Sequence, residues 1–177
     1  VPSAPGSGPD IMARAIGQKL TEYLGQPVVI DDKPGAGGII GAETAAKSAP
    51  DGYTLIMANA GSHAVNASLY AKLPYDPVRD FAPITLVAMA PNILIVHPAL
   101  PANSVRDLIA LAKSRPGELT FGSGGNGSTA HLSGEMFRTM AGINIVHIPF
   151  KGSPAAVVGV IAGQIAMAFP NIPPALP

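Results

Sequence analysis

Helix-like and strand-like segments alternate along nearly all of this chain, and no other feature restricts its fold as tightly. The run PDIMARAIGQKLTEYLG carries apolar residues at 11, 12, 15, 16, 20, 23 and 24, one face of a helix, and Gly25 supplies a C-terminal stop. PVVI at 27–30 then reads as a short strand, PGAGG at 34–38 as a tight loop, IIGAETAAKSA as a helix, PDG at 50–52 as a turn and YTLIMA at 53–58 as a strand. KLPYDPVRDFAP at 72–83 is rich in proline and charge and reads as an extended surface loop.

Two further strand-like runs, ITLVAM and NILIVH, are separated by Ala90, Pro91 and Asn92. This break is read as a crossover between two lobes, residues 1–90 and 91–177. Beyond it the predicted order is helix SVRDLIALAKSR, strand LTFGS, helix STAHLSGEMFRTMAG, strand INIVHIPF, helix SPAAVVGVIAG and strand QIAMAF. Strands separated by helices imply an α/β fold with mainly parallel sheets covered on both faces. Right-handed crossovers put the loops that follow the strands on one edge of each sheet, where ligands are expected.

Composition narrows the functional classes. Eleven basic and eleven acidic residues cancel, and only 12% of positions are charged, so nucleic acid is not an expected partner. Cysteine is absent, which removes disulfides, thiolate metal sites and cysteine nucleophiles. The longest apolar region, ITLVAMAPNILIV, is interrupted by Pro91 and Asn92 and falls short of the ~20 residues a spanning helix needs. No initiator Met or signal-like segment is seen, so a processed or trimmed chain is expected.

Glycines precede helix-like runs three times, in APGSGPD at 4–10, PGAGG at 34–38 and GSGGNGS at 122–128. Backbone N–H groups at the positive end of a helix dipole favour an anion. The third loop also has the spacing G-x-G-x-x-G at 122, 124 and 127, but a dinucleotide site needs an acid about 20 residues further on. No Asp or Glu follows Glu135. A P-loop fails because Ser128 and Thr129 stand where a lysine is required, and no G-x-S-x-G nucleophile elbow occurs.

Ser128 and His131 lie at i and i+3 without an orienting acid and read as a cap and a pocket-facing or core histidine. The histidines at 63, 97, 131 and 147 lack paired metal-ligand spacing, and Asp31 and Asp32 read as a solvated turn. No metal and no cofactor are expected. Lys33 and Lys151 lie in loops after strands and either attract anions or aid solubility; KGS leads into a helix, which gives Lys151 more weight.

The order of several motifs resembles the periplasmic solute-binding receptors of tripartite tricarboxylate transporters, the Bordetella uptake gene family. These are PDGYTL at 50–55, LPYDPVRDFAPI at 73–84, GSGGNGSTAHLSGEMF and HIPFKG at 147–152, and they are collinear across essentially the whole chain. The resemblance implies a two-lobed Venus-flytrap fold, here incomplete: most of the first strand and the returning part of the first lobe are missing, and the second lobe stops short. It further implies a periplasmic location, a small carboxylate ligand and membrane subunits of the transporter as partners. Exposed sheet edges on incomplete lobes would favour self-association.

Family members hold a ligand carboxylate with two strand-loop-helix motifs. The first, P-x-x-x-G-G-x-x-D, matches here as Pro2, Gly6 and Asp10, with Ser7 replacing a glycine, Gly8 following, and Ser3 where an aromatic is usual. The second resembles S-x-G-x-G-S-x-x-H-L and matches as Ser123, Gly125, Gly127, Ser128, His131 and Leu132, enclosing Asn126 and Thr129. Ala60, Gly61 and Ser62, then Lys151 and Gly152, flank the implied cleft; Phe150 stands where tyrosine is more usual. Near the end, Pro170 and Asn171 replace the family's usual Asp-Asn, which implies a simple carboxylate or dicarboxylate in preference to an amino acid. Two alternatives stay open: a serine hydrolase using Ser128 and His131, and a non-binding assembly module.

Overall fold

A computed structural model of the chain describes residues 1–172. The last five residues of the expected second lobe, 173–177, lie outside the described residues. The chain divides into two compact units, Val1–Ala90 and Pro91–Pro177.

In the first unit, Ser7 opens α1 (Gly8–Leu24), with Pro9 in its first turn, and Gly25 closes it in the left-handed conformation at φ 67°. The inner face of α1 carries Ala13 and Gly17, and a Cβ on Gly17 would come within 3.1 Å of the Ile30 side chain. Thr21 fastens the returning chain: its Oγ1 accepts from Val28 N at 2.9 Å and donates to Gly17 O at 2.8 Å. A 3₁₀ turn, Ala36–Gly38, leads into α2 (Ile39–Ala46), and a π-helical turn, Gly61–Val65, leads into α3 (Asn66–Leu69).

The strands expected at PVVI, YTLIMA and ITLVAM do not form: among the described residues, 1–90 contain no strand. A strand exists only where a neighbour completes its ladder of N–H and C=O groups. Here Val1 supplies two backbone hydrogen bonds beside PVVI, donating to Asp31 O at 2.7 Å and accepting from Lys33 N at 2.8 Å, which do not make a ladder.

The second unit builds the sheet: β1 (Ile95–Val96), β2 (Thr120–Ser123), β3 (Val146–Pro149) and β4 (Met167–Ala168) lie in the order β1-β4-β2-β3. β2 pairs in parallel with both β3 and β4, while β1 is antiparallel to β4. The helices are α4 (Val105–Ser114), α5 (Thr129–Ala141) and α6 (Ser153–Ile161). α4 begins at Ser104, whose Oγ accepts from Asp107 N at 3.1 Å.

Alternation along the strands sends side chains to two cores. Phe121 and Met167 join Leu108, Ala112 and Phe169 on one face, while Ala168 joins Val160 and Ile165 on the other. Glycine permits close approach on each side. A Cβ on Gly134 of α5 would stand 2.1 Å from the Phe121 ring, and one on Gly122 of β2 would stand 2.3 Å from Ile165 Cδ1.

Candidate functional site

In the first unit the candidate residues surround the start of α1. Gly6 is exposed, whereas Ser7, Gly8 and Asp10 are buried. Gly6 N donates to Asp10 Oδ2 at 2.7 Å, which bends the loop back onto the helix. Arg14 lies one turn on, its Nε 2.7 Å from Asp10 Oδ1 and its second guanidinium nitrogen 2.8 Å from Asp32 Oδ2. Burial pushes the Asp10 carboxyl up, but the Gly6 amide and the Arg14 guanidinium outweigh it and hold the group below its ordinary value. Asp32 moves the other way: burial and the Asp10 charge raise it despite Arg14.

Ser7 occupies the N-cap position, yet its side chain caps nothing. Its buried Oγ has no protein hydrogen-bond partner. A buried hydroxyl without a partner is costly, and this one sits at the positive end of a 17-residue helix.

Ala60, Gly61 and Ser62 stand at the opening of the π-helical turn. Ser62 is fully buried; its Oγ accepts from Asn59 N at 3.3 Å, donates to Asn59 O at 3.1 Å and lies 2.9 Å from His63 Nδ1. Asn59 Nδ2 reaches Ser3 Oγ at 3.3 Å, which joins this segment to the loop before α1. Asn66 Nδ2 donates to Gly37 O at 3.1 Å and ties in the glycine turn before α2. The His63 ring packs at 4.5 Å on Phe81 and 6.2 Å from Tyr75, whose hydroxyl donates to Ser62 O. Burial pushes His63 down.

In the second unit, parallel pairing brings three candidate segments to one sheet edge. Ser123 pairs in register with Pro149, so the loops leaving β2 and β3 start level with each other, and Phe150 N donating to Ser123 O extends the ladder. Asn171 follows β4 on the same edge, because β4 runs parallel to β2. The Ser123–Ser128 loop, Lys151 with Gly152, and Asn171 are thereby gathered. Lys151 and Asn126 are exposed, Gly152 is half-buried and Gly127 is buried.

The loop itself is tightly bonded. Ser128 N donates to Gly125 O at 3.2 Å, Gly127 N to His131 Nδ1 at 3.2 Å, and His131 N to Ser128 Oγ at 3.2 Å. Ser128 is thus the N-cap of α5, and the His131 imidazole addresses the loop backbone instead of the Ser128 hydroxyl. A nucleophile–base pair needs that contact, so the hydrolase reading of these two residues fails. The first amides of α5, at Thr129 and Ala130, have no intrahelical acceptor and point toward the loop side. Among the described residues no cluster of three metal-ligating side chains occurs.

Two residues that carried no ligand role in the sequence reading complete this region. Asn92 forms an antiparallel bridge with Asn171, accepts from Asn171 Nδ2 at 2.6 Å and from Thr129 Oγ1 at 3.5 Å, and donates to Ser133 Oγ at 2.9 Å. It joins the strand end to α5. His147 lies 2.6 Å by Nε2 from Ser123 Oγ, with its ring 4.1 Å from that of His131 and 4.9 Å from that of Phe121. Burial, with His131 beside it, pushes His147 down; Glu135 opposes the shift. In the sequence Asn92 is a polar residue at the break before a strand-like run, and His147 opens the HIPFKG motif, but neither place indicates the contacts made here.

The sequence matches the tripartite tricarboxylate transporter family receptor profile over residues 12–177. It is 42% identical to protein BugT of Bordetella pertussis over 177 residues, 99% of this chain and 54% of that protein. An R. palustris protein solved with adipate superposes with a TM-score of 0.95 at 42% identity, over 98% of this chain and 58% of its own. MatC from Rhodopseudomonas palustris, solved with bound malate, superposes with a TM-score of 0.90 at 31% identity, over 97% and 58%. The chain therefore spans about half the length of the relatives it matches. The fold is the α/β fold of these periplasmic binding proteins, and the family and its solved neighbours are receptors, not enzymes. By the extent of the profile match, this chain belongs to the tripartite tricarboxylate transporter receptor family.

Proposed function

We propose that the chain is part of a periplasmic two-lobed receptor that captures a small carboxylate or dicarboxylate and delivers it to the membrane subunits of a tripartite tricarboxylate transporter. The observation that carries this reading is Ser7: a buried hydroxyl with no protein partner, held at the N-terminus of α1. Such a group donates to an anion while the helix dipole stabilises the charge. The loop before α5 offers a second helix start of the same kind, with Ser123, Gly125, Asn126, Gly127, Ser128, Thr129 and His131 around it and Lys151 exposed on the same edge.

Adipate and malate in the solved relatives support a dicarboxylate. The ligand contacts proposed for this chain are Gly6, Ser7, Gly8 and Asp10, then Ala60, Gly61 and Ser62, and finally the second loop with Lys151, Gly152 and Asn171. Lobe closure over the ligand would create the surface that the membrane subunits read.

Isothermal titration calorimetry with adipate, malate, monocarboxylates and amino acids tests the proposal. Dicarboxylates are expected to bind, and Ser7→Ala is expected to weaken them roughly tenfold, the loss of one hydrogen bond to a charged group. Tighter binding of an amino acid would overturn the ligand class. If no carboxylate binds or raises the melting temperature, the receptor role gives way to a non-binding assembly module.

A further inference from the structure

The direction of every hydrogen bond at Ser123 follows from counting donors. Ser123 is fully buried, and its Oγ has three partners: Gly125 N at 3.1 Å, Gly125 O at 3.1 Å and His147 Nε2 at 2.6 Å. A serine hydroxyl has one proton to donate and two lone pairs to accept with. All three contacts are satisfied only when the hydroxyl proton goes to the Gly125 carbonyl while Gly125 N–H and His147 Nε2–H both donate to Oγ. If the imidazole instead carried its proton on Nδ1, Nε2 would claim the hydroxyl proton, leaving the Gly125 carbonyl opposite a lone pair. The imidazole thereby decides where the Ser123 proton points.

The fold makes this contact local to the site. In the β2–β3 register His147 pairs with Phe121, so Ser123, two residues further along β2, is its diagonal neighbour on the same face. The ring is held between Phe121 and His131. His131 in turn uses Nδ1 to accept from Gly127 N. The stacked pair therefore fixes two loop amides, at Gly125 and Gly127, where the backbone runs at φ 116° and 77°, a region that glycine adopts readily and other residues avoid. The first unit repeats the arrangement, since Ser62 is also fully buried and meets one backbone N–H, one carbonyl and one histidine ring nitrogen.

We propose that His147 is a positioning residue for ligand capture, holding the Ser123–Gly127 loop in its receptive shape through a hydrogen bond to Ser123. The proposal rests on the receptor reading above, and adds to it a residue behind the loop.

The test compares the full chain with His147→Phe, which keeps a ring for stacking but removes the donor, and His147→Gln, which keeps a donor. Hydrogen exchange at Gly125 and Gly127 is measured by NMR without ligand, and succinate, glutarate and adipate are titrated by calorimetry. His147→Phe is expected to speed Gly125 exchange at least tenfold and to weaken the best dicarboxylate by tenfold or more, and His147→Gln to restore most of both. Unchanged Gly125 exchange in His147→Phe overturns the proposal, as does a glutamine variant that behaves like the phenylalanine one. If the wild-type chain binds none of the three acids, the receptor reading fails by itself, and the exchange data still decide whether His147 orders the loop.

Discussion

Histidines 63 and 147 occupy positions where a positive charge is expensive. Burial lowers both, and His131 adds to the effect at His147. A histidine depressed in the folded state stays neutral there while the unfolded chain takes up its proton below pH ~6.5. Stability is thus fully present above that value and is lost as pH falls through the folded-state value. The melting temperature is expected to drop between pH 7.5 and 5.5, with a shallower drop for His147→Gln. Equal slopes in differential scanning calorimetry would remove His147 as a source of the dependence. Candidate residues on the glycine loops could be found from spacing and family resemblance. His63, Asn59, Asn66 and Asn92 could not, because their partners lie up to 79 residues away along the chain; His147 stands in the HIPFKG motif, but its contact with Ser123, 24 residues away, is not legible there.

Element formation divides along a physical line. α1, α4, α5 and α6 were visible in the sequence because a helix satisfies its own backbone and needs only one apolar stripe. Strands in residues 1–90 were misread because apolar, β-branched composition does not supply a ladder partner. The seat of α5 on β2 depends on a single missing methyl: a Cβ at Gly134 would meet the fully buried Phe121 ring at 2.1 Å. Gly134→Ala is expected to cost about 1–3 kcal/mol despite alanine's better helix propensity, the usual price of overpacking. Urea unfolding measures it; a variant as stable as wild type would show that α5 can slide without penalty.

For the whole molecule, the dominant physical fact is apolar surface left uncovered. Val29, Tyr53, Ile84, Leu86 and Met89 are between 75% and 92% exposed. Such side chains drive association when grouped, and we propose that the 177-residue chain self-associates through them. Sedimentation velocity is expected to show larger species as concentration rises, and Leu86→Lys with Met89→Lys to shift the distribution toward monomer. A single monomeric species at all concentrations would contradict this. Among the described residues no helix is long and apolar enough to cross a membrane.

By itself the sequence determined the α/β class, the order of helices, the family and the absence of thiol chemistry, because periodicity, caps and collinear motifs act over a few residues at a time. Only the tertiary structure decided which strands exist, that parallel pairing sets Ser123, Gly152 and Asn171 on one edge, and that His147 meets Ser123. Those outcomes depend on register and on hydrogen-bond partners distant along the chain, and neither is written in any local pattern of residues.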